Sequence, residues 1–263
     1  MSIRFFFILG PCFLLILLAL LAPVIAPFSV NATDLNALHL APNGKQILGT
    51  DFFGRDLFSR LLFALRNSLF IGIASSFLTL LFACAYVLLA RLCFYSFFMR
   101  ILDLCLALPF LLLLMFFQSF FESSALKMIV LIALAHWSFV AKVVESEMKK
   151  NENLDFYKAA LVLGASKTKL FFKDLLPSCL SLLFVLFLFH IVHSINTEAT
   201  LSFFGLGLGF EIPSLGTLLS DSQRAVFIGA WWMILFPLLI LLILILPLLW
   251  LANSLQKIWG MRV

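Results

Sequence analysis

Charge is what this sequence has least of: 18 Lys and Arg and 13 Asp and Glu stand among 263 residues, 12% of the chain. A water-soluble surface carries about a quarter to a third of such groups, so the composition argues against a soluble fold. Cysteine is little help to any chemistry. Cys12, Cys84, Cys93, Cys105 and Cys179 make an odd total with no CxxC pair, which excludes a zinc ribbon or a disulfide scaffold and leaves packing as their role. There is no HExxH motif, no pair of aspartates on facing spans and no Ser-His dyad, so a polytopic membrane enzyme lacks its residues. Gly44-Lys45 has neither the upstream glycine nor the following Ser or Thr of a nucleotide loop. No strand precedes Gly205, Gly207 and Gly209, so they do not make one either, and no ATP site, cofactor site or repeat is read from the chain.

What the chain has is apolar length. Hydrophobic residues make up 63% and phenylalanine alone supplies 32 positions. Runs of about 20 apolar residues match the thickness a helix must cross, and a backbone in lipid must satisfy its own hydrogen bonds, which favours helices. The sequence predicts an all-α polytopic membrane protein with six transmembrane helices: Phe5 to Ile25, Leu69 to Leu89, Ile101 to Phe121, Met128 to Glu147, Cys179 to Ile195 and Phe227 to Leu251. The first run follows Arg4 as a signal peptide would, but it is long and lacks a small-x-small cleavage site, so it reads as a retained helix. Asp103 and Pro109 near the start of the third mark a kink.

Basic residues set the orientation, because short cytoplasmic loops accumulate them. With the N-terminus inside, Arg4, Arg91, Arg100, Lys142, Lys149, Lys150, Lys158, Lys167, Lys169, Lys173, Lys257 and Arg262 fall on the cytoplasmic side, and both termini with them. Lys45, Arg55, Arg60, Arg66, Lys127 and Arg224 fall outside. The net charge of +5 therefore reports topology and not nucleic-acid binding. Three regions follow: residues 1–67, a first helix and an external segment; 68–252, the main membrane domain with a polar cytoplasmic loop at about 150–177; and 253–263, a cytoplasmic tail.

That polar loop is the most informative segment. Asn151 or Asn153 can cap a helix on which Leu154, Tyr157, Leu161 and Ala165 recur on one side, with Lys158 on another. Gly164 permits a tight turn, and Ser166 can cap a second short helix carrying Leu170, Phe171 and Leu175 up to Pro177. Ala159 and Ala160 leave room for close packing, and the flanking lysines suit an acidic rim on a partner.

The external stretch from Pro27 to Asn67 reads as a folded cap, in which Asp51, Arg55, Asp56 and Arg60 are spaced to pair on a helix. Gly205, Gly207 and Gly209, followed by Pro213 and Gly216, suit a tightly turned or re-entrant segment at the outer surface, a candidate gate. His190 and His193 lie three apart, close enough for one metal ion, but a third ligand is lacking beyond Glu198, and bonding to a neighbouring helix is the favoured reading. Asp103 either faces a protein interior or a water-filled path, as charged groups within spans do, or sits near the cytoplasmic end and pairs with Arg100. Trp231, Trp232, Trp250 and Trp259 sit where interface anchors belong.

Three segments, in order along the chain, resemble one family. Ile47-Leu48-Gly49-Thr50-Asp51-Phe52-Phe53-Gly54-Arg55-Asp56-Leu57-Phe58-Ser59-Arg60 resembles the LGTDxxGRDxxSR signature of the peptide and nickel branch of ABC importer permeases. Asn153 to Ala165, closed by Leu175-Leu176-Pro177, is similar to their cytoplasmic coupling loop, and Glu198 to Gly207 to their EAxLSFLGLG segment. The resemblance implies a type I importer permease fold and the second permease subunit of an importer of di- or oligopeptides, with nickel or a metallophore complex as the alternative cargo. It assigns ATPase coupling to Asp155, Ala159, Ala160, Gly164 and Pro177; an external signature to Gly49, Asp51, Gly54, Arg55, Asp56 and Arg60; and a gate to Glu198, Ser202, Gly205 and Gly207. It implies as partners a homologous permease subunit, two cytoplasmic ATPases, an extracytoplasmic substrate-binding protein and the lipid of a bacterial inner membrane. An ion-coupled secondary transporter would carry more ionisable groups at the midplane. The chain departs from the pattern at Asp155, where glutamate is usual, at Asp174 and Ser178 around the Leu-Pro, and at Lys142 and Glu145, where arginines are expected. The tail from Asn253 to Trp259 also lacks the usual glycine-aspartate and arginine-aspartate end.

Overall fold

The computed structural model describes residues 2–120, 123–209 and 211–259; for residues 2–9, Cys12 and Lys167 it describes the backbone alone. Helices account for its regular structure apart from one isolated bridge between Thr50 and Asp56. In chain order they are α1 (Ser2–Ile25), α2 (Leu57–Leu92), α3 (Tyr95–Ala107), α4 (Phe110–Gln118), α5 (Ala125–Asn151), α6 (Asp155–Val162), α7 (Lys167–Leu170), α8 (Leu176–Ser178), α9 (Leu180–Phe203), α10 (Leu215–Ser222), α11 (Ala225–Ile228) and α12 (Trp232–Ile258), with a π-helical turn, Phe171–Leu175, between α7 and α8.

Among the described residues four helices, α2, α5, α9 and α12, are long and apolar enough to cross a membrane, and the bent pair α3 and α4 makes a fifth crossing if counted as one. The first of the six expected spans is helical throughout, as α1 over Ser2–Ile25, with Phe13–Ile25 its apolar part among the described side chains. The third expected span is not a continuous helix. Its halves meet at 81°, because Pro109 has no N–H to give and forces Leu108 into an extended conformation at φ −80°, ψ 137°. Phe121, the expected end of that span, and Arg262, assigned to the cytoplasmic side, lie outside the described residues, as do the side chains of Arg4, Lys167 and Cys12.

The four long spans all run past an expected end: α5 covers Ala125–Asn151, and α12 covers Trp232–Ile258, the expected start at Phe227 falling on the separate short helix α11. Helix α2 begins at Leu57 rather than Leu69, so its 36 residues reach about 54 Å and extend beyond a bilayer's apolar layer. Helix α9 continues past Ile195 to Phe203, which puts Glu198 and Ser202 on its last turns.

Packing explains how α2 occupies the centre. Lipid is as apolar as leucine, so helices associate there through close contact of small residues. Ala64, Ser68, Gly72, Ser76, Thr79 and Ala83 are buried along one face of α2, while Phe70, Ile73, Phe77 and Leu81 stay exposed on the other. A Cβ on Gly72 would lie 2.8 Å from Cγ1 of Ile195, so only glycine admits α9 this closely. One apolar core joins α1, α2, α9, α10 and α12 around Leu61, Leu65, Ile195, Leu218 and Trp232. A second, at the opposite end, joins α2, α3, α5 and α9 to Phe171 and Leu175.

Candidate functional site

The loop between α5 and α9 folds as a protruding knob. Helix α6 buries none of its residues, and Val162 and Leu163 at its tip are 84% and 86% exposed. The N-cap is Leu154, with no side-chain bond, and not Asn151 or Asn153. Asn151 ends α5, and Asn153 donates to the Lys149 carbonyl at 3.3 Å. The face foreseen for Leu154, Tyr157, Leu161 and Ala165 is only partly used: Tyr157 packs against the second core, whereas Leu154 and Leu161 are exposed.

Gly164 stands at φ 78° and closes α6 with paired bonds, Gly164 N–H to the Leu161 carbonyl at 3.0 Å and Ala165 N–H to the Ala160 carbonyl at 3.2 Å. This is the left-handed helix stop that favours glycine. Ser166 then accepts from Lys169 N–H at 3.3 Å and begins α7. Phe171 and Leu175 turn inward at 3% and 2% exposure, anchoring the knob, while Asp155, Ala159 and Pro177 stay exposed and Ala160 is half-buried.

Two clamps hold its base. Arg91 of α2 donates through Nε and Nη2 to both carboxylate oxygens of Glu145, at 2.8 and 2.9 Å, and through Nη1 to Glu152 at 2.5 Å. Tyr95 of α3 adds an O–H bond to Glu145 at 2.9 Å. On the other side Asn151 Nδ2 donates to Ser178 Oγ at 2.9 Å. The sequence singled out Glu145 and Ser178 only as departures; here both hold the base of the knob. Asp103 pairs with Lys142 at 2.5 Å, not with Arg100. A cavity of about 340 Å³ lies under the knob, lined by Arg91, Tyr95, Glu145, Glu152, Tyr157 and Phe171 among others; burial there raises the Tyr157 hydroxyl pKa, Glu152 adding to it.

At the opposite pole the cap signature folds by turns and not by helix. Asp51 Oδ1 accepts the N–H groups of Phe53 and Arg55, both at 2.9 Å, and its Oδ2 pairs with Arg55 Nε at 2.6 Å. Only Arg60 is helical, because α2 starts at Leu57 with Asp56 as its N-cap, accepting from Ser59 N–H at 2.8 Å. Gly54 passes against the Asp34 backbone, where a Cβ could not fit. Gly49, at φ 80°, lies against Trp232. Asp221 of α10, not foreseen, completes the cluster at 3.7 Å from Arg55 and 3.6 Å from Arg60. Burial pushes its carboxyl pKa up and the two guanidiniums pull it back. Replacing the helix cap, Asp56→Ala, is expected to cost about 1 kcal/mol, read as a lower thermal midpoint in detergent with Asp56→Asn restoring most of it.

Next to that cluster Glu198, fully buried, joins three elements. It accepts from Ser202 at 2.7 Å, from Ser214 at 2.6 Å and from Ser68 at 3.3 Å, and Ser68 accepts from Leu215 N–H at 3.0 Å. Gly205, at φ 79°, ends α9, and Gly207 sits so close to Ser202 that a Cβ would overlap it. Ser214 opens α10 with a capping box. The four gate candidates thus surround the end of α9, and of the two forms foreseen for the segment it takes the tight turn, a helix stop followed by a loop. A hollow of about 220 Å³ follows, lined by Ser202, Gly205, Gly207, Thr217, Ser220 and Asp221 among others. Among the described residues no three His, Cys, Asp or Glu side chains are grouped to hold a metal, so His190, His193 and Glu198 form no such site.

Comparison with known proteins extends this geometry. Residues 82–260 match the family described as binding-protein-dependent transport system inner membrane component. The chain is similar to the dipeptide transport system permease protein DppC of Haemophilus influenzae, with 34% identity over 254 residues covering 91% of this chain and 84% of that protein. It is similar to the oligopeptide transport system permease protein OppC of Bacillus subtilis, with 29% identity over 83% of this chain and 72% of that one. Among solved structures, a chain of the inward-facing MetNI methionine ABC transporter superposes with a TM-score of 0.64 at 17% identity, over 77% of this chain and 97% of that chain. That likeness gives the fold alone, the type I fold of ABC importer permeases.

Proposed function

The chain belongs to the binding-protein-dependent transport system inner membrane components, and from that premise we propose that it is the second permease subunit of an ATP-driven importer of di- or oligopeptides. The observation that carries this reading is the knob: a clamped pair of short helices with a bare apolar tip at Val162 and Leu163, outside the helices long enough to cross a membrane. An apolar tip presented to water is stabilised by a partner that covers it. That partner is a cytoplasmic ATPase, one of two, with Asp155, Ala159, Ala160, Gly164 and Pro177 at the contact.

The knob pole is cytoplasmic, with both termini; the pole bearing Asp51, Arg55 and Asp221 faces outward, toward a substrate-binding protein. A homologous permease stands beside the chain and completes the path. ATP binding draws the two ATPases together, the knobs follow, and because each is clamped to α2 and α5 the movement passes into the membrane helices and favours the outward-facing state. ATP is hydrolysed in the partners, and this chain supplies the path and the lever.

The experiment is co-purification. The chain expressed with its ATPases is expected to hold them through detergent extraction, and Leu163→Asp, which charges the tip without touching the buried anchors, is expected to release them. Retention of the ATPases by that variant would assign the contact elsewhere.

A further inference from the structure

Helix α9 exposes two different faces. Leu180 and Phe184, at 59% and 49% exposure, form one that suits lipid. His193 and Asn196 are exposed on the other, with Thr200 half-buried beyond them. Spacings of three and four put these residues in one stripe, and nine residues separate Phe184 from His193, about half a turn around the helix. At about 1.5 Å per residue His193 lies about 20 Å along α9, near the middle of a crossing. Polar side chains at that depth face protein or a water-filled passage, because hydrocarbon offers them no partner.

The layer behind the stripe is polar too. His190 and His136 are buried, at 3% and 8% exposure, with ring centroids 5.9 Å between His190 and His193 and 5.7 Å between His136 and His190. His136 Nε2 is 3.2 Å from Thr197 Oγ1, whereas Nδ1 of His190 has no hydrogen-bond partner among the described residues. Phe110 and Phe139 flank the imidazoles, at 4.8 and 6.3 Å. The carboxylate of Glu198 is turned away and occupied by Ser68, Ser202 and Ser214, and Asp103 is taken by Lys142. What remains is a surface of imidazole, amide and hydroxyl groups, donors and acceptors edged by aromatic rings.

We propose that His193, Asn196 and Thr200, with His190 behind them, line the translocation path and hydrogen-bond the backbone amides of a peptide in transit. A surface of such donors and acceptors can bond what all peptides share, one N–H and one C=O at each non-proline residue. The assignment rests on the chain being a peptide permease and names where in it the cargo touches.

The test uses the assembled transporter in proteoliposomes. His193→Phe and Asn196→Leu are expected to raise KM for a labelled dipeptide about fivefold with kcat nearly unchanged, the mark of lost binding common to ground and transition states. In a cysteine-free version that still transports, His193→Cys and Asn196→Cys are expected to react with a charged, membrane-impermeant thiol reagent and to be protected by dipeptide, while Phe184→Cys does not react. Normal KM in both variants, no labelling at 193 and 196 while uptake persists, or protection by nickel ion and not by dipeptide would each overturn the assignment and leave the permease reading standing. Absence of dipeptide uptake by the unaltered transporter would remove that reading itself, and the assignment with it.

Discussion

Replacing Gly164 with valine is expected to lower peptide uptake by at least about tenfold, the effect of about 1.4 kcal/mol on a coupling equilibrium, with the amount of protein in the membrane unchanged. Nothing lies within 4 Å of where a Cβ would sit, so the penalty is not a clash. It is the backbone: at φ 78° an L-residue pays about 1–2 kcal/mol, and a β-branched side chain fits there worst. The chain can relieve that strain by opening the two bonds that join Gly164 and Ala165 to Leu161 and Ala160. Doing so turns α6 against α7 and displaces Val162 and Leu163 from the partner. Asparagine tolerates the left-handed region, so Gly164→Asn should retain most of the uptake, and loss in both variants alike would point to the glycine's size and not its conformation. Quantitative immunoblotting of membranes beside the uptake assay checks the result.

Arg91→Ala carries the larger cost to stability. Glu145 is 3% exposed and would lose both guanidinium bonds, keeping only the Tyr95 hydroxyl. Removing one member of a buried ion pair costs about 3–5 kcal/mol, because the other charge is left without compensation. Glu152 loses its partner in the same step, so the first residue after α5 is released and the knob is held to α2 only by its apolar anchors, Phe171 and Leu175. The expected outcome is a lower thermal midpoint in detergent and faster tryptic cleavage between Lys149 and Lys173. Glu145→Gln leaves a neutral group that still bonds Tyr95 and Arg91, so its loss should be smaller. An Arg91→Ala protein as stable and as protease-resistant as the parent would show that the clamp does not hold the knob.

The knob and the four long spans were legible in the sequence for different reasons. Spans announce themselves by length and hydropathy, and the knob by lysines and a glycine breaking the apolar pattern. Element ends were less legible. Helix α2 begins twelve residues early because Asp56 caps it through Ser59, and α9 runs on because Thr197 meets His136 of α5, Glu198 accepts from Ser68 of α2 and from Ser214, and Ser202 donates to Glu198 one turn back. Hydropathy alone counts such residues as outside.

Tertiary partners were the least visible. The spacing of Asp51, Arg55 and Arg60 suggested a helix, yet the pairing is made by a turn and completed by Asp221, more than 150 residues away. Glu145 read as a mere substitution for arginine, and nothing local marks it as the partner of Arg91 across 54 positions. The stripe of His193, Asn196 and Thr200 has a sequence signal, polar residues three and four apart inside an apolar helix, but which face is open depends on how α5 and α9 pack.

The central claim is ATP-driven peptide import, and uptake of a radiolabelled dipeptide by proteoliposomes tests it most directly. The vesicles would hold this chain, its partner permease and the ATPases, with binding protein supplied on the side of the Asp51–Asp221 cluster and ATP on the side of the knob. Accumulation against a gradient with ATP, abolished when the ATPases are catalytically inactive, is the predicted result. No accumulation with ATP, or accumulation driven by an ion gradient without it, would contradict the account.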